Sequence, residues 1–82
     1  SNCPGLVITQ VVPTSQAERL DLRLGDILTS YEGTCLNEPK DLIGATKKSQ
    51  PDQPVKLERF RDGSSQTLTA QGGKLGVAVE AF

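Results

Sequence analysis

The chain has 82 residues and a mass of 8.8 kDa, enough to bury about 63% of its unfolded surface in one small core and too little for a second domain. Nine Lys and Arg against ten Asp and Glu leave a formal net charge of -1, which argues against an electrostatic nucleic-acid binder. Histidine is absent, which removes Ser-His-Asp and Cys-His catalysis and any His-ligated zinc.

The apolar fraction is 35%, with no Trp and no Met, so the core must rest on Val, Leu, Ile and Ala. No apolar run reaches the ~20 residues of a membrane span, and no signal-peptide pattern opens the chain. Direct membrane insertion is therefore not expected. Ser1-Asn2 reads as a cloning remnant, which leaves residues 3–82 as one expected module of a larger protein. Cys3 and Cys35 are too few for a disulfide framework. Reduced thiols are expected, because a bridge requires the fold to bring the two together. No metal and no cofactor is expected.

In chain order, residues 6–12 are rich in β-branched side chains and predict a buried strand that Pro13 stops. Ser15 and Glu18 have the spacing of an N-capped helix start, with Ala17 and Leu20 facing inward. Asp21 falls where the chain must reverse and tolerates a left-handed backbone. Gly25 precedes Asp26 in a turn; replacing it is expected to damage folding. Residues 27–31 predict a second strand, Glu32-Gly33 a tight turn, and residues 34–36 a short return. Asn37 is the expected N-cap of a second helix, with Pro39 in its first turn and Lys47-Lys48 at its end. Leu42, Ala45 and Thr46 share one face of that helix, and Ile43 sits beside it. Residues 55–60 alternate apolar and charged as a half-buried strand does. Asp62-Gly63 is the strongest hairpin signal, and residues 66–70 return from it. A glycine-rich loop at 72–76 leads into a last strand at 77–80. The order is βαββαβββ, an α+β domain.

Gly5-Leu6-Val7-Ile8, Val11, Pro13, Ser15, Ala17, Leu20-Asp21-Leu22, Gly25-Asp26-Ile27-Leu28 and Gly33 together resemble a PDZ domain. Asp21 stands where that family usually has Gly. Asp41-Leu42 resembles the start of the family's second helix, and Arg61-Asp62-Gly63 its hairpin. The resemblance covers residues 5 to 80. It implies a small, partly open β-sandwich or barrel of five to six strands with two helices. The element order further resembles the circularly permuted PDZ domains of bacteria, found in envelope proteases and repeat scaffolds. Here the carboxylate-binding loop and the groove strand are expected at the C-terminal end, at Lys74-Leu75-Gly76-Val77, whereas in the usual bacterial variant the loop lies upstream of the first strand. That placement at the C-terminal end requires residues 6–12 to pair with residues 77–80.

By resemblance, the chain is expected to capture C-terminal or extended segments of partner proteins by β-strand addition. The contacts implied are Lys74, Leu75, Gly76 and Val77 at the loop, Ala78 and Val79 along the groove strand, and Leu42, Ile43 and Thr46 on the helix. Gly76 lets the backbone approach an anion closely, and Lys74 favours that anion electrostatically. A bulky residue at position 76 is expected to abolish binding and spare the fold. Leu42 occupies the place where relatives that prefer Ser or Thr carry His, which implies an apolar preference. A plain connector is the rival reading of residues 72–76. A phosphate loop is excluded, because Leu75 follows Lys74 where Ser or Thr is needed. The competing function is a structural or regulatory module packed on another domain of the parent chain. No catalytic residue is expected. The compartment, bacterial cytoplasm or cell envelope, depends on the parent protein.

Overall fold

A computed structural model describes residues 3–82; Ser1 and Asn2, where a cloning remnant is expected, lie outside the described residues. The elements are β1 (Leu6–Val11), α1 (Gln16–Arg19), β2 (Ile27–Tyr31), β3 (Thr34–Cys35), α2 (Pro39–Lys48), β4 (Pro54–Arg61), β5 (Ser64–Gln71) and β6 (Val77–Ala81). The strands form one open antiparallel sheet in the order β5-β4-β2-β1-β6, with β3 paired to β2. This is a small α+β fold of six strands and two helices, as the sequence predicts, and the sheet does not close into a barrel.

Apolar period-two patterning builds the core. Leu6 and Ile8 of β1, Leu28 of β2, Val55 and Leu57 of β4, and Leu36 are fully buried. Ala17, Leu42 and Leu75 add to it from α1, α2 and the loop before β6. In β4 the apolar pattern breaks at Arg59-Phe60, but the geometry does not. Arg59 turns inward and bonds Gln66, while Phe60 stays 38% exposed. A one-residue slip would correct that pair and expel Val55 and Leu57 from the core.

α1 begins at the Ser15 cap, whose hydroxyl accepts from the Glu18 N–H at 3.4 Å. Asp21 has φ 60°, the left-handed backbone expected of it. The cap of α2 differs from expectation. Glu38, not Asn37, is the N-cap, with Pro39 following. The cause is Asp41, whose carboxylate reaches back to accept from the N–H groups of both Asn37 (3.0 Å) and Glu38 (2.9 Å).

The cysteines also differ from expectation. Cys3 and Cys35 form a disulfide, with Cα atoms 5.2 Å apart. The Gly5 N–H donates to the Leu36 carbonyl at 3.0 Å, which lays the N-terminal segment beside the end of β3. That contact brings two distant thiols within bridging range.

Candidate functional site

The site begins with an unpaired sheet edge. β6 pairs with β1 on one side, from Leu6↔Ala81 to Val11↔Val77, and among the described residues has no strand neighbour on the other. An open edge exposes backbone N–H and C=O groups to any incoming strand. α2 stands across from this edge, so edge and helix form the two walls of a groove of about 330 Å³.

The head of the groove is the loop at 72–76, and several side chains fix its shape. The Gln16 amide donates to the carbonyls of Gln71 (3.0 Å) and Lys74 (3.3 Å). The Ser49 hydroxyl accepts from the Gly73 N–H at 2.8 Å and from the Tyr31 hydroxyl at 3.1 Å. The Leu75 carbonyl accepts from the Ala17 N–H at 2.7 Å, and the Gly76 carbonyl from the Val12 N–H at 2.8 Å. Both loop carbonyls are thus held by the protein. Among the described residues no acceptor is paired with the Leu75 or Gly76 N–H. Backbone N–H groups left unpaired in a concavity make an anion site.

Gly76 has φ +89°, and a Cβ there would lie 2.3 Å from the Ser15 Cβ. Glycine is therefore required for the loop to pass the cap of α1 as well as for any anion to approach. This corrects the expectation that a substitution at position 76 spares the fold. Gly25 is constrained by its backbone alone, which strains any replacement there. It shares φ +89°, but a Cβ there meets nothing within 4 Å.

Seven of the nine sequence-predicted site residues line the groove: Lys74, Leu75, Gly76 and Val77 from the loop side, Leu42, Ile43 and Thr46 from the helix. Ala78 and Val79 lie on β6 outside this lining; Ala78 is exposed and Val79 packs partly against the core. Two lining residues escaped the sequence reading, Val12 and Lys47. Val12 is 47% exposed and Ile43 54% exposed, so the rims carry large apolar groups open to solvent. Ser49 and Gln16, which hold the loop, carried no sequence signal beyond that of a loop and a short helix.

A second polar cluster is closed by contrast. The buried Asp26 carboxylate accepts from the Arg23 N–H at 2.9 Å and from both arms of the Arg61 guanidinium at 2.6 and 2.7 Å. Burial pushes the Asp26 pKa up, but the Arg61 hydrogen bonds, the Arg23 N–H and the nearby guanidinium charges outweigh it and hold the carboxyl below its ordinary 3.8. Among the described residues no group of three or more His, Cys, Asp or Glu could hold a metal ion. No helix there is long and apolar enough to cross a membrane.

The sequence matches the family model described as PDZ domain over residues 1–71, a match that stops before the loop and β6. Among curated proteins it is 31% identical over 65 residues to a probable periplasmic serine endoprotease, DegP-like, of Marinomonas sp., covering 79% of this chain and 14% of that protein. It is 32% identical over 68 residues to a putative zinc metalloprotease of Ralstonia nicotianae, covering 83% and 14%. It is 29% identical over 77 residues to the magnetosome formation protease MamE of Paramagnetospirillum magneticum, covering 94% and 11%. The chain thus spans a small fraction of each relative. Its fold is that of the PDZ domain of the SdrC-like protein from Listeria monocytogenes, with TM-score 0.80 at 14% identity over 96% of this chain and 90% of that one.

Proposed function

This chain belongs to the PDZ domain family, and from that premise we propose that it captures C-terminal or extended segments of partner proteins as an added strand on β6. PDZ domains are non-catalytic, and the proposed role of this one is binding. The observation that carries the reading is the open β6 edge facing α2, with the unpaired Leu75 and Gly76 N–H groups at its head. Backbone pairing along β6 supplies affinity, and the apolar lining of Leu42, Leu75 and Val77 receives a terminal side chain. The loop N–H groups receive the carboxylate.

The same reading takes the domain as the permuted bacterial type. The loop and groove strand follow β5, β6 lies beside β1, and the Phe82 N–H reaches the Gly5 carbonyl at 3.3 Å. The relatives point to a protease-associated parent protein, and the Marinomonas relative is named periplasmic. The Cys3–Cys35 bridge fits an oxidising compartment of that kind. Alkylation of the protein trapped in cells checks the compartment: the thiols should stay blocked until a reductant is added. Thiols that react at once would return the domain to a reducing compartment.

An amide chemical-shift titration tests the function, using short peptides with free and with amidated C-termini. Shifts at residues 74–79 and 42–47 that vanish on amidation are the expected result. Shifts that survive amidation would make internal segments the ligands. No shift with any peptide overturns the peptide reading and favours a module packed on a neighbouring domain.

A further inference from the structure

The chain is net acidic, yet the surface around the loop is not. Lys47 and Lys74 line the groove, which holds no carboxylate. On the far side of the loop lies a second depression, of about 660 Å³, which shares Val12, Lys74, Leu75 and Gly76 with the groove. Its one further cation is Arg19, and it too has no carboxylate in its lining. Three cations therefore surround one short loop. Among the described residues none of them is ion-paired, whereas Arg23, Lys40 and Arg61 all have acidic partners.

A terminal carboxylate brings one negative charge and would be held by the Leu75 and Gly76 N–H groups. Three cations spread from α2 across the loop to α1 exceed what that single charge needs. Like-charged groups gathered without counter-charges destabilise one another, and an anionic partner removes that repulsion.

From this we infer that the preferred segments carry an acidic side chain within two residues of their terminal carboxylate, attracted by Lys47 and Lys74 with Arg19 across the loop. The inference rests on the peptide-capture reading and adds the ligand's charge to it. Lys47 is then a specificity residue as well as a helix-end cation.

Fluorescence anisotropy with dye-labelled hexapeptides tests it. The pairs end in -Glu-Val against -Gln-Val and in -Glu-Leu-Val against -Gln-Leu-Val, each as free acid and as amide. At about 50 mM salt the Glu peptide of at least one pair should bind about three- to tenfold tighter than its Gln partner. The ratio should approach one at about 0.5 M salt, where the screening length is about 4 Å. In a Lys47→Met, Lys74→Met double variant it should approach one at low salt. Lys40→Met, at a residue outside the groove and paired with Glu38 at 3.4 Å, should keep the parent's ratio. Equal affinities for Glu and Gln peptides, with binding still lost on amidation, overturn this inference and leave the tail-capture reading standing. A ratio that survives high salt or the double variant overturns it too. No binding of any peptide overturns both readings.

Discussion

The turn at residues 23–26 and the loop at residues 72–76 are built from similar parts. Each holds a glycine at φ +89°, and each gathers cations near backbone N–H groups. At the turn the anion belongs to the protein: Asp26 takes the Arg23 N–H and both arms of Arg61. At the loop the described chain supplies no anion to Lys47, Lys74 or Arg19. The sterics differ as well, since a Cβ at Gly25 would stand in open space and one at Gly76 would strike Ser15. A polar cluster closed by its own counter-charge serves the fold, whereas one left without it is, on the proposed reading, arranged for a ligand.

The largest expected effect comes from opening the closed cluster. Asp26→Ala removes the carboxylate that pairs Arg61 and satisfies the Arg23 N–H. A loss of about 3 kcal/mol is expected, because a buried network is broken and its donors are left unpaired. Urea unfolding measures it as a lower midpoint at unchanged slope. A loss below about 1 kcal/mol would mean that Asp26 is dispensable to the fold and would erase the contrast with the loop.

Acid should reveal the same cluster. The Asp26 carboxyl is held below 3.8 in the folded state, so its stabilisation is complete above the unfolded value. It is lost as pH falls through the lower, folded value. Stability should be flat in this contribution above about pH 5 and decline below about pH 4. Asp41 is held down too, by the Glu38 and Asn37 N–H groups, and declines in the same window. The difference between the parent and Asp26→Asn therefore isolates Asp26. An unchanged acid slope in that variant would assign the whole decline to other carboxylates.

The glycines give the next contrast. Gly76→Ala should cost about 2–3 kcal/mol, since left-handed strain adds to the collision with Ser15. Gly25→Ala should cost only the strain, about 1–2 kcal/mol. Thermal melts of the two variants compare them directly. Equal losses would mean that the Ser15 side chain moves aside and that the loop is less constrained than its contacts imply.

Much of this was legible because local rules and tertiary packing agree. Asp62-Gly63 has φ 51° and 78°, the positive pair a tight hairpin needs; the β-branched run forms β1, but only Leu6 and Ile8 are buried, while Thr9 and Gln10 face solvent, so the strand is not buried throughout as expected. The failures share a cause: a partner distant in sequence, or a reach that local rules ignore. The disulfide depends on the Gly5–Leu36 bond, which no spacing between Cys3 and Cys35 encodes. The cap of α2 shifted because Asp41 reaches back past the residue that favours capping on its own. Lys47 was read through the helix dipole alone, because only the position of the loop turns that residue into a groove wall. Val79 missed the groove because β6 packs it partly against the core.

The smallest stability effect belongs to the open cluster, and it carries the sharpest test of the comparison. Lys47 is exposed at the last turn of α2. Lys47→Glu reverses a favourable charge at a helix C-terminus, which costs about 0.5–1 kcal/mol in stability. Its effect on a peptide with an acidic penultimate residue should be larger in relative terms, since attraction becomes repulsion beside the ligand. Asp26→Ala should behave in the opposite way, with a large loss of stability and little change in affinity among the molecules that remain folded. A Lys47→Glu protein that loses several kcal/mol of stability would place Lys47 in the closed class. The groove's charge would then be part of the scaffold, and an acidic ligand would no longer be needed to balance it.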